Sequence, residues 1–142
     1  MNRRNERGSA SLEAAVGVPA FALFVALIIF GGRTATAHQA LESAAADAAR
    51  SASLARTAGA ATEAARQAAQ TSIANQDLSC TKVEVSVDTD AFTHAVGSDS
   101  AVGVTVSCLL DLSDLSIPGI PGSHVVRATM SSPLDTWRGR SS

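Results

Sequence analysis

The feature that most constrains this chain is an uncharged, strongly apolar run of nineteen residues, 14–32, close to the N-terminus. A helix rises about 1.5 Å per residue, so the run would span about 28 Å, close to the hydrocarbon core of a bilayer. A single acidic residue, Glu13, stands at its mouth, where a carboxylate is costly and needs a reason. The run predicts a transmembrane helix, which we place over residues 9–32.

The charges around this run predict its orientation. Three arginines and one glutamate stand within the first eight residues, whereas only Arg33 follows the run closely. An excess of basic residues favours the cytoplasmic side, so we expect a single-pass protein with its N-terminus in the cytoplasm and the rest outside. Residues 77–135 contain eight acidic and two basic side chains, which argues against nucleic-acid binding because that needs a basic surface.

Alanine-rich sequence beyond the membrane predicts that the first helix continues to about residue 56. One face of it collects small side chains at spacings of three and four, which either cover the chain's own sheet or contact neighbouring subunits: Ala37, Leu41, Ala44, Ala48, Ala52 and Ala55. Gly59 is expected to end this helix. Thr62 is expected to cap a second helix, with Glu63 in its first turn, that ends near residues 75–77.

Strands follow, because apolar residues then alternate with polar ones. The predicted inward positions are Val83, Val85 and Val87, then Val102, Val104, Val106 and Cys108, and finally Val126, Ala128 and Met130. A doubled Pro-Gly pattern at 117–122 predicts a turn. The predicted fold class is α+β: a long N-terminal transmembrane helix, a shorter helix and a small antiparallel sheet of about three strands. Residues 33–132 form the outer domain, and residues 133–142 a loosely ordered tail.

Cys80 and Cys108 are the two cysteines, both in the predicted outer domain. An extracytoplasmic location favours a disulfide over reduced thiols or a metal site. In the alternation of its strand, Cys108 falls on the inward face with the valines. Cys80 would fall on the outward face, with Lys82. We therefore place Cys80 just before the first strand, in the turn after the second helix.

The start of the chain has the spacing of a prepilin processing site. Cleavage after Gly8 would remove residues 1–8 as a leader and make Ser9 the first mature residue, with Glu13 the fifth. The new amino terminus carries a positive charge that the Glu13 carboxylate of an adjacent subunit can neutralise. In a bundle of apolar helices such a pair fixes axial register, because a slip leaves a buried charge unpaired.

This N-terminal sequence, Arg7-Gly8-Ser9-Ala10-Ser11-Leu12-Glu13-Ala14-Ala15-Val16, resembles the TadE-like minor pilins or pseudopilins of tight-adherence (Flp-type) pilus systems. The alanine-rich helix, the valine-alternating strands and the ending at 132–140 fit that family in character. Major Flp-type pilins are much shorter and usually have tyrosine where this chain has Ala14, so the resemblance implies a minor component.

The resemblance implies a protein of the bacterial cytoplasmic membrane that is not an enzyme and needs no cofactor, metal or small-molecule substrate. The implied partners are prepilin peptidase, other pilins, the membrane assembly platform and the lipid bilayer. The family also implies extraction of the mature helix by an ATPase-driven platform, possible incorporation in a pilus, or a role in secretion.

Two other interpretations remain open. Ala35-Thr36-Ala37 forms an A-x-A site, and signal peptidase cleavage after Ala37 would release an exported soluble protein. Alternatively, the chain is an uncleaved single-pass protein whose outer domain binds a partner. The three histidines are dispersed, and no metal-binding or nucleophile motif accompanies them, so we expect no catalysis.

Overall fold

The computed structural model of the protein describes residues 6–95, 97–113 and 122–135, with side chains from residue 13 onward. Within these ranges the elements are helices α1 (Glu6–Ser53) and α2 (Ala58–Asn75) and strands β1 (Cys80–Asp88), β2 (Ala101–Asp111) and β3 (Ser123–Pro133), with a 3-10 turn, Asp90–Thr93, between β1 and β2. The predicted α+β class is confirmed. Apart from Gly122, the turn predicted at 117–122 falls outside the described residues.

Helix α1 is continuous from the apolar run into the domain that contains the sheet. Its predicted small face is buried, since Ala37, Leu41, Ala44, Ala48 and Ala52 are all at most 1% exposed. This face covers the chain's own sheet, which is the first of the two roles left open by the sequence. Small side chains let the helix axis approach the sheet closely, so the core is thin and built largely from alanine and valine.

The direction of α1 relative to the sheet follows from contacts at its two ends. The Phe30 ring lies against His124 at the start of β3. About six turns later, the Ser132 hydroxyl donates to the Ser53 Oγ at 3.1 Å, near the end of β3. Helix α1 therefore runs alongside β3 and in the same direction.

The sheet has the order β1-β2-β3, and both neighbouring pairs are antiparallel. The predicted alternation is present: the inward residues of β2 are fully buried, and Val126 and Ala128 of β3 are 5% exposed. Helix α2 packs beside α1, where the buried Ser72 hydroxyl donates to Asp47 at 2.9 Å. Both helices thus lie on one face of the sheet.

The start of α2 differs from the prediction. Gly59 does not end a helix but lies in the first turn of α2, and Thr57 is the cap, accepting a hydrogen bond from the Ala60 amide at 3.2 Å. Thr62 is inside the helix, where its hydroxyl donates to the Ala58 carbonyl, and Glu63 lies beyond the first turn. Helix α1 ends three residues earlier than expected, and the cap of α2 lies five residues earlier, because Thr57 adopts the extended cap conformation.

The C-terminal segment also departs from expectation at its first residues. Strand β3 extends to Pro133, and Leu134 is 5% exposed and packs in the core. The Leu134 amide donates to the Ser100 carbonyl at 2.8 Å, which fixes the backbone there. Residues 133 and 134 are therefore ordered, contrary to the prediction of a loose tail from residue 133, and residues 136–142 lie outside the described part of the chain.

Candidate processing and assembly site on the N-terminal helix

Gly8 and Ser9 lie at the start of α1, which begins at Glu6. The last three residues of the predicted leader are thus helical, and residues 1–5 lie outside the described range. Glu13 follows Ser9 by four residues, just over one helical turn, and its side chain is exposed. The candidate cut and the candidate assembly carboxylate therefore occupy consecutive turns of one helix.

An apolar surface without a partner in this chain begins directly after Glu13. The exposed fractions of Val16 and Phe21 are 69% and 68%, and Ile28 is 58% exposed. Contiguous apolar surface of this size on a helix requires lipid or other apolar helices around it. By length and composition this is also the helix that could cross a membrane, and with the domain that follows it fits a membrane anchor carrying a soluble part.

Two charged groups delimit this surface. No charged residue lies between Glu13 and Arg33, which is twenty positions further along α1. At about 1.5 Å per residue, their backbones are about 30 Å apart along the axis, the thickness of a hydrocarbon core. This arrangement can hold a carboxylate at one boundary of a bilayer and a guanidinium at the other.

The A-x-A sequence lies inside the continuous part of α1. Ala37 is 1% exposed in the core, and the Thr36 hydroxyl donates to the Gly32 carbonyl at 3.0 Å. Cleavage after Ala37 would require this helix to unwind and would remove a core side chain. The core of the folded domain therefore includes residues on both sides of this site, Ala37 and Leu41.

The structure contains a disulfide between Cys80 and Cys108, with Cα atoms 5.4 Å apart. The predicted place of Cys80 is wrong in detail, since it is the first residue of β1. A register shift between Cys80 and Lys82 inserts Thr81 as a bulge, and the Thr81 hydroxyl donates to the Leu109 carbonyl at 2.7 Å. The extra residue shifts the in-and-out alternation of β1 by one position, so Cys80 lies on the same face of the sheet as Cys108.

The remaining titratable groups form no compact centre in the described part of the chain. His38 lies 3.3 Å from Glu42 on the surface of α1, His94 follows the 3-10 turn, and His124 lies at the start of β3. No group of three or more His, Cys, Asp or Glu residues among the described residues could hold a metal ion.

A comparison with protein families finds a match on the N-terminal helix. The model of the TadE-like protein family matches residues 8–50, which begins at the candidate scissile glycine and ends near the end of α1. The resemblance predicted from the sequence is confirmed over that segment. No curated protein and no solved structure matches the chain significantly.

Proposed function

We propose that this chain is a minor pilin or pseudopilin of a tight-adherence pilus or secretion system, cleaved by prepilin peptidase between Gly8 and Ser9. The observation that carries the proposal is the coincidence of three features on one helix. The family match starts at Gly8, Glu13 is the fifth residue after it, and the apolar surface beyond Glu13 has no partner in the described chain.

The proposed role of Glu13 is subunit registration. Once Ser9 is the first residue, its ammonium group and the positive end of the α1 dipole lie together at the membrane boundary. A neighbouring Glu13 carboxylate neutralises both when the two helices are staggered by about one turn. Any other stagger leaves the carboxylate and the ammonium desolvated and unpaired, which costs several kcal/mol per ion. The pair therefore selects one axial offset between subunits.

The proposal places the protein in the bacterial cytoplasmic membrane, with residues 1–8 in the cytoplasm and the helix-and-sheet domain outside. Its proposed partners are the peptidase, other pilins and the assembly platform. The disulfide agrees with an oxidising compartment for the outer domain.

The decisive experiment is mass spectrometry and N-terminal sequencing of the protein from cells with and without active prepilin peptidase. Cleavage after Gly8 leaves 134 of the 142 residues with Ser9 first, whereas cleavage after Ala37 leaves 105. Gly8→Leu should block the first cut, and Ala15→Leu, a comparable enlargement beyond the site, should not. A mature N-terminus at His38 would refute the proposal, and so would an uncut chain in cells with active peptidase.

A second experiment separates processing from assembly. Glu13→Gln keeps the size of the side chain and removes its charge, so we expect normal cleavage but loss of co-purification with other pilins. Glu42→Gln on the domain part of α1 is the matched control and should leave both unchanged. Equal assembly of Glu13→Gln and wild-type protein would contradict the registration role.

A further inference from the structure

The face of the sheet opposite the helices is covered by nothing in the described chain. Its side chains come from the alternate positions of three strands and form four cross-strand rows: Lys82, Leu109 and Val125; Glu84, Ser107 and Arg127; Ser86, Thr105 and Thr129; Asp88, Gly103 and Ser131. The central strand offers only small side chains in three of these rows. The surface is therefore shallow and available for close approach.

The two edge strands of this face differ in charge, since β1 carries Lys82, Glu84 and Asp88 and β3 carries Arg127. In the backbone register of the sheet, Glu84 of β1 and Arg127 of β3 both lie opposite Ser107 of β2. They therefore occupy one row, on opposite sides of β2. Strands lie about 4.8 Å apart, which separates the two backbones by about 10 Å. Within the row the acidic end is on β1 and the basic end on β3.

Glu84 has a basic neighbour on its own strand. Its carboxylate accepts a hydrogen bond from the Lys82 ammonium at 2.6 Å, and this bond and the Lys82 charge hold the pKa of Glu84 below its ordinary value. The Arg127 charge also lowers the pKa of Glu84, to a smaller extent than Lys82 does.

Two copies of this face can be placed against each other by a two-fold axis that lies between them and runs parallel to β2. In that arrangement the charges of Glu84 and Arg127 in one copy face opposite charges of the other. Under that rotation β1 of one copy lies over β3 of the other, while each row stays at its own height. Glu84 then meets Arg127 of the second copy, and Arg127 meets Glu84, so both ends of the row are matched at once. We propose that the outer face of the sheet docks against the same face of a second copy of this chain.

An apolar contact supports the same pairing. Val125 is 53% exposed, and apart from Leu54 it is the only large apolar side chain outside α1 in the described residues that is so exposed. It shares its row with Leu109, which lies on the proposed axis. In the pair, Leu109 meets Leu109 of the second copy and Val125 packs against the aliphatic stem of Lys82.

The direction of α1 is compatible with this axis. Because α1 runs alongside β3, the proposed axis along β2 is close to parallel with α1. Both apolar helices of the pair therefore leave the domains at the same end and can enter one membrane. A two-fold axis across the strands would point the anchors in opposite directions.

The contact between the two sheet faces is small, so we expect it to form only between copies anchored in the same membrane. Four rows on three strands cover about 400 Å² per copy, from strand spacings and rise. A stable soluble interface buries about 800 Å² per partner. The inference thus rests on the membrane anchoring contained in the proposed function, since tethering in one bilayer raises the effective concentration enough for a weak face to pair.

The first test is thiol cross-linking of the full chain reconstituted in lipid vesicles. Thr105→Cys places a thiol next to the axis, and a short bis-maleimide should join two copies in high yield. Gln67→Cys, on the exposed side of α2, is the matched control and should give at most background yield. Equal yields from the two variants would overturn the proposal, as would a Thr105→Cys adduct only with a different protein when the test is repeated in native membranes.

The second test reverses charges. Glu84→Arg and Arg127→Glu should each lower the cross-linking yield of the Thr105→Cys protein several-fold, and the double variant should restore it. Reversing the Arg66–Glu63 ion pair of α2, one residue at a time, applies the same charge changes away from the face and should leave the yield unchanged. Failure of the double variant to recover would overturn the pairing of Glu84 with Arg127, provided that its thermal unfolding matches that of the parent.

Separate measurements distinguish membrane anchoring and cleavage from the pairing of the two copies. Gly8→Leu should cross-link as well as wild type in vesicles, because the pairing needs the anchor but not the cut. Release of the chain from vesicles by alkaline carbonate would refute the anchor, and with it both proposals. Stable insertion without cross-linking would refute the pairing alone and leave the proposed pilin function standing.

Discussion

The Phe30 ring meets the His124 imidazole edge to face, with centroids 6.4 Å apart and planes inclined at 68°. Phe30 is the last large apolar residue of the run that begins after Glu13, and His124 is the second residue of β3. This contact is where the apolar helix becomes part of the folded domain.

Removing the disulfide should destabilise the outer domain. In the chain-entropy account, a bridge that closes a loop of this length contributes about 3–4 kcal/mol, so the Cys80→Ser, Cys108→Ser double variant should unfold at lower denaturant. Reductant should lower the midpoint of the wild-type protein and leave that of the variant unchanged. Coincident wild-type and variant curves under oxidising conditions would show that the bridge contributes nothing.

Enlarging one alanine under α1 should cost stability, because the helix lies close to the sheet there. Ala48 is fully buried, and Ala48→Leu should lower the free energy of unfolding by about 1–3 kcal/mol through overpacking. Ala46→Leu makes the same change on the exposed side of α1 and should stay within about 0.5 kcal/mol of wild type. Equal denaturation midpoints for the two variants would contradict the close packing.

The two threonines near the start of α2 should differ in their contribution. Thr57→Ala removes the side chain that accepts from the Ala60 amide and should cost about 1 kcal/mol. Thr62→Ala removes only a hydroxyl bond to the Ala58 carbonyl inside the helix and should cost less. Amide hydrogen exchange in the first turn of α2 gives a local measurement, and faster exchange in the Thr62 variant than in the Thr57 variant would reverse the assignment.

The ion pair on β1 should appear in the titration of Glu84. Lys82→Met should raise the pKa of Glu84, because it removes both the hydrogen bond and the charge that lower it, and Arg127→Met should raise it less. A depressed carboxyl pKa stabilises the fold above the unfolded-state pKa, and this contribution is lost as the pH falls through the folded value. Carbonyl NMR of the Glu84 side chain measures both shifts, and an unchanged pKa in the Lys82 variant would contradict the geometry.

Much of the fold could be predicted from the sequence because its apolar residues recur at regular helical and strand spacings. The valines of β2 alternate strictly, and the small residues of α1 recur every three or four positions, so burial followed directly. The bulge at Thr81 could not be predicted, because it depends on how β1 pairs with β2 rather than on β1 alone. The cap at Thr57 was missed because Gly59 is a stronger local signal for a helix end, although a glycine is tolerated in a first turn.

The candidate site divides in the same way. Gly8, Ser9 and Glu13 form a linear motif. Such a motif can be recognised in the sequence because a peptidase would bind it without contacting the folded domain. The opposed charges of Glu84 and Arg127 are 43 residues apart and share a row only through the register of both strands with Ser107. A surface of that kind is invisible until three strands are aligned.

The absence of any break in α1 between the apolar run and the core has a mechanical consequence. A helix of 48 residues is about 72 Å long and holds the sheet against its second half. A force that draws the first half along its axis is therefore transmitted to the domain through continuous helical backbone from Pro19 onward. A machine that moves such an anchor therefore moves the folded domain with it.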